Sequence, residues 1–504
     1  MGAFEGIMTG FSVAFSLEGI LFVLIGVFVG TFIGMLPGLG PISAIAVMIP
    51  LTYGMEPAPA IVMMAGVYYG AVFGGSTSSI LLNAPGISGT VATSFDGYPM
   101  AQQGKAGKAL AIAAIASFTG GTVSVILLMI MAPALASVAI AFGPPAYFAL
   151  MFLGLTAISS LSEGSTIKAL ISALVGFMVV TIGIDPQTGT QRFTFGNINL
   201  LEGIDFLVIA LGLFAVAEVC SLIINRNDKS LGKTQNIGSL RLTKSDFKEM
   251  RGPLGRHSIL GFIIGILPGA GATISSFISY IAEKRLSKNP DEFGKGSIKG
   301  LTAPEASNNA ATSGAFVPLL SLGIPGSGTT AVLLGALLVL GIQPGPLLMT
   351  ENPEIFWGVI ASMYVGNIFL LVLNLPLIPY IAKVLKIPRP MLISLVLMFS
   401  LIGVYSISFN TFDLYLLLIF GVLGFLMRLF AFPAPPFILA FILGGMMEQY
   451  FRQSLTISNG DLMIFLKNPL SVSLLIVSLL SFAIPILRQR ISRKKVNADK
   501  STSM

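Results

Sequence analysis

A chain of 504 residues that is 54% hydrophobic and only 10% charged lies far from ordinary soluble domains, in which about 25% of residues are charged. The single cysteine, Cys220, excludes an intrachain disulfide, and with His257 as the lone histidine no Cys or His cluster exists to hold a metal. The net charge of +7 is unevenly spread: residues 1–225 hold 4 Lys or Arg against 9 Asp or Glu, and residues 226–504 hold 25 against 13, a topology signal rather than a nucleic-acid footprint.

The N-terminus lacks the basic region of a cleavable signal, so Met1 onward is expected to be mature protein. The first landmark is Gly30–Gly40, GTFIGMLPGLG, inside an apolar run. Leu-Pro-Gly-x-Gly removes a backbone donor and frees φ at successive positions, so a helix must stop there and expose polar backbone. Apolar runs of roughly 20 residues, enough to cross a ~30 Å hydrocarbon core, follow near 59–82, 109–132, 134–161, 168–184 and 202–225. The same break returns 231 residues after the first, as Gly261–Gly271, GFIIGILPGAG. Further spans are expected near 302–323, 354–382, 390–409, 413–430, 434–448 and 470–487. The predicted fold class is an all-α polytopic membrane protein with about 11–14 membrane segments. It comprises two inverted structural repeats with re-entrant or broken helices.

The inversion is read from charge. No basic residue precedes Lys105; the segment Arg226–Arg256 carries eight and the tail Arg488–Lys500 six. The positive-inside rule places both in the cytoplasm and the N-terminus outside. An odd number of crossings then separates the halves, which is the inverted-repeat plan of many secondary transporters. The expected division is a first transmembrane repeat (1–225), a basic cytoplasmic linker (226–256) and a second transmembrane repeat (257–450). A loop with an extra C-terminal helix (451–487) and a basic cytoplasmic tail (488–504) complete the chain. The breaks at Pro37 and Pro268 read as tips of re-entrant hairpins, because a full crossing at 258–281 would put Lys284, Arg285, Lys288, Lys295 and Lys299 outside.

Broken backbone at membrane depth persists where it lines a cavity, so the candidate substrate and ion site is built around these breaks. It takes Gly38 and Gly40 from the first break and Gly269 and Gly271 from the second. After the first hairpin come Ser76, Thr77, Ser78, Ser79 and Asn83, closing with Gly86 and Ser88. After the second come Asn308, Asn309, Thr312 and Ser313, closing with Gly326, Ser327, Gly328, Thr329 and Thr330. Hydroxyl, amide and freed carbonyl oxygens suit a small cation, and N–H groups at a half-helix N-terminus suit a carboxylate. For the Ser-Thr-Ser-Ser and Ser-Asn-Asn runs, binding is preferred to packing. For Gly26/Gly30/Gly34 and Gly66/Gly70/Gly74, four apart on one face, close helix packing is preferred. Glu305 and Asp96 are further ion candidates, although helix capping is preferred for the first and a turn at Asp-Gly-Tyr-Pro for the second. His257, beside Arg256 at the edge of an apolar segment, reads as an interfacial polar contact before a proton relay.

The motifs GMLPGLGP, YYGAVFGGSTSSILLNAPG, DGYPMAQQGKAGKAL, APEASNNAATSGAFVPLLSLGIPGSGTTAVLLGAL and GIQPGP resemble the large membrane subunit of the tripartite tricarboxylate transporter family, TctA-like, from about residue 15 to 450. The resemblance implies a multi-pass symporter of the bacterial inner membrane for di- and tricarboxylates, coupled to Na⁺ or H⁺ and needing no other cofactor. It implies as partners a periplasmic solute-binding protein and a small four-helix membrane subunit, with membrane lipid around them and no nucleic acid. Members of that family also serve some aromatic acids, so the substrate itself does not carry over. The rival readings are a passive anion channel and an intramembrane enzyme. Against the enzyme, the chain has neither H-E-x-x-H nor a phosphate-binding P-loop, and Gly294-Lys295-Gly296-Ser297 lacks the loop's spacing.

Overall fold

Lipid offers no partners to a backbone, so a chain this apolar must pair its N–H and C=O groups within each segment, and helices do that throughout. The computed structural model describes residues 3–36, 39–139, 142–161, 165–185, 187–224, 237–269, 271–386 and 389–481. In chain order come α1 (Ala3–Ala14), α2 (Leu17–Met35), α3 (Gly40–Met48), α4 (Pro57–Leu82), α5 (Val91–Met100), α6 (Ala106–Ala139), α7 (Pro144–Leu161) and α8 (Thr166–Val180). A two-stranded antiparallel hairpin, β1 (Gly183–Ile184) with β2 (Gln191–Arg192), leads to α9 (Phe206–Ala210) and α10 (Ala217–Ile224), joined by a π-helical stretch. The second half holds α11 (Lys244–Ile266), α12 (Gly271–Leu286), α13 (Ile298–Gly314), α14 (Phe316–Leu322), α15 (Gly328–Val339), α16 (Leu348–Glu351) and α17 (Pro353–Asn374). It ends with α18 (Ile378–Ile381), α19 (Arg389–Ser408), α20 (Thr411–Leu429), α21 (Ala434–Ile457), α22 (Ile464–Lys467) and an apolar helix at Pro469–Ser481.

Among the described residues six helical stretches are long and apolar enough to cross a membrane: Leu17–Met35, Pro57–Leu82, Ser88–Ala139, Phe206–Ile224, Pro353–Asn374 and Thr411–Leu429. Several shorter apolar helices accompany them. The predicted boundary between spans at Pro133 is absent, because α6 carries that proline inside it to Ala139. A membrane helix tolerates such a proline when its surroundings satisfy the freed carbonyl. The predicted span 302–323 is divided at Ala315 into α13 and α14. Residues 244–256, expected in the linker, already form the first turns of α11, opened by a capping box between Thr243 and Asp246. The rest of the linker up to residue 236, and the tail from 482, lie outside the described residues.

The chain gathers into two compact units that do not coincide with its sequence halves. One holds Met1–Ile140 with Phe206–Phe425, the other Ala141–Asp205 with Leu426–Met504. In the first unit the same arrangement occurs twice. A methyl group added at Gly26, Gly30 or Gly34 of α2 would lie 2.2, 2.4 or 2.2 Å from a backbone oxygen of α4. One added at Gly261 or Gly265 of α11 would lie 2.4 or 2.3 Å from a backbone oxygen of α13. Small residues let these backbones touch, which is how membrane helices associate when lipid removes the hydrophobic drive. In the second unit α21 packs on α7 and α8, with Gly176 of α8 against the backbone of Phe437.

Candidate functional site

Each glycine-proline break stops one helix and starts another. Leu36 ends α2 with ψ 112 and Leu267 ends α11 with ψ 120, while Gly40 (φ +53) and Gly271 (φ +57) restart the chain as α3 and α12 in the left-handed region that favours glycine. Pro37 and Gly38 lie outside the described residues. The later Pro-Gly breaks return onto the first ones. Gly86 sits so close to α2 that an added methyl would be 1.8 Å from the Gly34 carbonyl oxygen, and the Gly269 N–H donates to the Gly326 carbonyl at 2.9 Å. Left-handed caps precede both, at Asn83 (φ 53) on α4 and Gly323 (φ 69) on α14.

Between these breaks the two sequence halves share a buried polar seam centred on Glu305 of α13. Its carboxylate has no solvent exposure and accepts from three helices of the first half. Ser76 of α4 donates at 2.8 Å to both oxygens, Ser117 of α6 donates at 2.8 Å to Oε2, and Thr93 of α5 donates to Oε1. One turn on, Asn308 donates Nδ2 to the Gly89 carbonyl at 3.3 Å, and its Oδ1 accepts from Asn309 at 2.7 Å. Asn309 also donates to the Glu305 carbonyl at 3.1 Å, and Ser124 of α6 donates to the Ala310 carbonyl at 2.7 Å. Among the described residues no cationic side chain pairs with this carboxylate; hydroxyls and the neighbouring Asn308 amide stabilise it, which is costly for a charge in a low dielectric unless function keeps it.

A second cross-half contact lies at the later break. Ser327 caps α15 by accepting from the Thr330 N–H, and its hydroxyl stands 3.1 Å from the Tyr68 hydroxyl of α4. Thr312, buried, donates to the Asn308 carbonyl at 2.8 Å, while Gly328 and Thr329 form the first turn of α15. On the first-half loop, Ser88 is 2.7 Å from the Thr273 hydroxyl of α12. Other candidates turn elsewhere. Ser78 and Ser79 donate to the Gly75 carbonyl of their own helix, Ser79 also to Thr90, and Asn83 is exposed. Ser313 is buried beside Thr312, and Thr77 lines a small void next to Ser76.

Asp96 is no turn residue. It lies inside α5, where its Oδ1 accepts three backbone N–H bonds, from Gly294 (2.9 Å), Gly296 (2.8 Å) and Ser297 (2.7 Å), and Oδ2 accepts from Tyr280. A carboxylate saturated in this way fastens the loop before α13 to α5. His257 is buried, with Nε2 2.9 Å from Glu283, which also takes Arg256 at 2.8 Å, so these groups tie α11 to α12.

The second unit contains a cavity of about 500 Å³ between the hairpin and α21. Its arginines are matched by carboxylates: Arg192 with Glu448 at 2.9 Å, and Arg452 with Asp185 at 3.0 Å and Glu448 at 2.5 Å. It therefore offers an anion little uncompensated positive charge. The backbone N–H of Gln187 and the Arg452 guanidinium hold the Asp185 carboxyl below its usual range, at about 2.

Sequence reasoning missed Thr93, Ser117, Tyr68 and Asn374. Thr93, beside Ser94, and Ser117 sit in helices with no pattern that singles them out. Asn374 carried a readable signal, one of two amides, with Asn367, in the apolar run ending at Leu375-Pro376.

A family model described as the tripartite tricarboxylate transporter TctA family matches residues 20–439. A protein of Agrobacterium vitis described as an uncharacterized 52.8 kDa protein in the TAR-I ttuC′ 3′ region is 47% identical over 462 residues, 92% of each chain. Another from the same organism, in the TAR-II ttuC′ 3′ region, is 46% identical over 228 residues, 45% of this chain and 94% of its own. No solved structure matches the chain. The matched region takes in both breaks and the whole Glu305 seam, and the chain belongs to the tripartite tricarboxylate transporter TctA family, as a multi-pass membrane transporter subunit.

Proposed function

We propose that this chain is the large permease subunit of a bacterial inner-membrane system that imports di- or tricarboxylates by symport with Na⁺ or H⁺. A periplasmic binding protein delivers substrate, and a small membrane subunit completes the complex. The observation that carries the reading is the buried seam in which Ser76, Thr93 and Ser117 from one half hold Glu305 from the other. A buried carboxylate without a cationic partner is where a coupling ion or proton is bound most favourably. The helix starts that follow the paired breaks would offer backbone N–H groups to a carboxylate nearby, and the two halves, as inverted repeats, would rock about that seam.

The test is uptake into proteoliposomes containing both membrane subunits. Labelled citrate and other carboxylates are expected to accumulate only with binding protein outside and an inward Na⁺ or H⁺ gradient. Accumulation by this chain alone, without a gradient, would overturn the proposal.

A further inference from the structure

Next to the Glu305 seam, α4, α6 and α17 leave a void of about 10 Å³, room for one water-sized particle. Ser76, Thr77, Ser117 and Asn374 form its polar wall, and Phe73 and Leu110 part of its apolar one. Two features fix its chemistry. Ser76 and Ser117 give their hydroxyl hydrogens to Glu305, so what they retain toward other neighbours is lone pairs. Asn374, 4% exposed, donates Nδ2 to the Leu370 carbonyl at 3.0 Å, which assigns the amide, and its Oδ1 is buried with no hydrogen-bond partner. A buried amide oxygen left unpaired is costly and rare. The residues lining this void thus bring to it hydroxyl lone pairs and a residue with an orphaned amide oxygen, with a carboxylate one hydroxyl away.

We propose that this void is a Na⁺ site, with the Ser76, Thr77 and Ser117 hydroxyls and Asn374 Oδ1 as ligands and Glu305 as the compensating charge. An all-oxygen set with one nearby carboxylate suits a hard monovalent ion and gives a softer transition metal nothing. Because Ser76 and Ser117 touch both the void and Glu305, an ion in the void would hold their hydroxyls in the orientation that joins the two halves. The inference rests on the transporter reading only in assigning the ion a coupling role; the binding itself is independent of it.

The experiment is thermal unfolding of the purified full-length chain in detergent, with NaCl replacing KCl at constant ionic strength. A ligand that binds only the folded state raises the midpoint saturably, here by roughly 2–5 °C. Asn374→Leu fills the same volume without the amide oxygen, and Thr77→Val removes one hydroxyl. Both are expected to unfold in KCl at or above the wild-type midpoint and to lose the Na⁺ response. A purely structural Asn374 would leave that response intact. A wild-type midpoint indifferent to Na⁺, or variants that keep the full shift, overturns the site. Proton-driven uptake without a Na⁺ response removes this site and leaves symport standing. A Na⁺ response without gradient-driven uptake does the reverse.

Discussion

Glu305 receives hydrogen bonds from three hydroxyls and sees no solvent, so its charge state governs a contact among four helices. Replacing it by Gln keeps size and one acceptor while removing the charge. Glu305→Gln is expected to fold and to lose more than about tenfold of carboxylate uptake, at 1.4 kcal/mol per decade; undiminished uptake by correctly folded protein would exclude it from the transport step. Glu305→Ala should cost stability as well, about 1–3 kcal/mol for each hydroxyl left unpaired. Ser117→Ala and Ser78→Ala separate site from packing. The first removes a donor to a buried charge and is expected to raise half-saturation for the coupling ion roughly five- to hundredfold. The second removes a bond within its own turn and should change little. The Ser-Thr-Ser-Ser run was legible in the sequence as polar residues where leucine was expected. Which of its members reach across depends on helix phase: Ser76 faces α13, whereas Ser78 and Ser79 turn back on α4.

Helices were legible wherever apolar runs were long. The errors fall where packing overrides local punctuation, as at Pro133 within α6 and Asp-Gly-Tyr-Pro within α5, where neighbouring helices compensate what proline removes. The glycine rows behave as packing surfaces, and this is measurable. Gly30→Ala and Gly261→Ala would each drive a methyl to 2.4 Å from a partner backbone oxygen, an overpacking that costs about 1–3 kcal/mol. Gly255 lies on the same helix as Gly261 with open space around it, so Gly255→Ala should instead stabilise by about 0.5–1 kcal/mol. Midpoints of unfolding in denaturing detergent rank the three. The hairpin of the second unit gives a pH prediction. Asp185 is held at about 2 when folded, below the ~3.9 of an unfolded chain. Its contribution is therefore full above that unfolded value and is lost as pH falls toward 2. Amide protection in residues 183–192, corrected for intrinsic exchange, should hold from pH 7 to about 4 and fall below it; a flat profile to pH 2 would deny the Asp185–Arg452 pair that role.

For the whole molecule, the sequence disclosed a repeat because its breaks are spelled with glycine and proline, and the structure places matching helix packing around both. The charge asymmetry carries a separate claim, that the halves are inverted. Single cysteines at residues 1–15 and 344–353 of a Cys220-free variant should react with an impermeant reagent in spheroplasts, and those at 226–256 should not. The convergence of Thr93 and Ser117 on Glu305 was invisible in the sequence, and the amide of Asn374 was legible only as a residue out of place, since their meeting arises from long-range packing of α5 and α6 about α4 and α13 and of α17 on α4 and α6. The proposed coupling role differs from a pore lining in requiring that ion and carboxylate move together. The most direct measurement starts with equal Na⁺ and pH on both sides of proteoliposomes holding the complete complex, and adds only binding protein loaded with carboxylate outside. The account predicts that Na⁺ or protons accumulate inside, driven uphill by carboxylate entry, and that Glu305→Gln abolishes this. Carboxylate entry with no accompanying ion movement would contradict it.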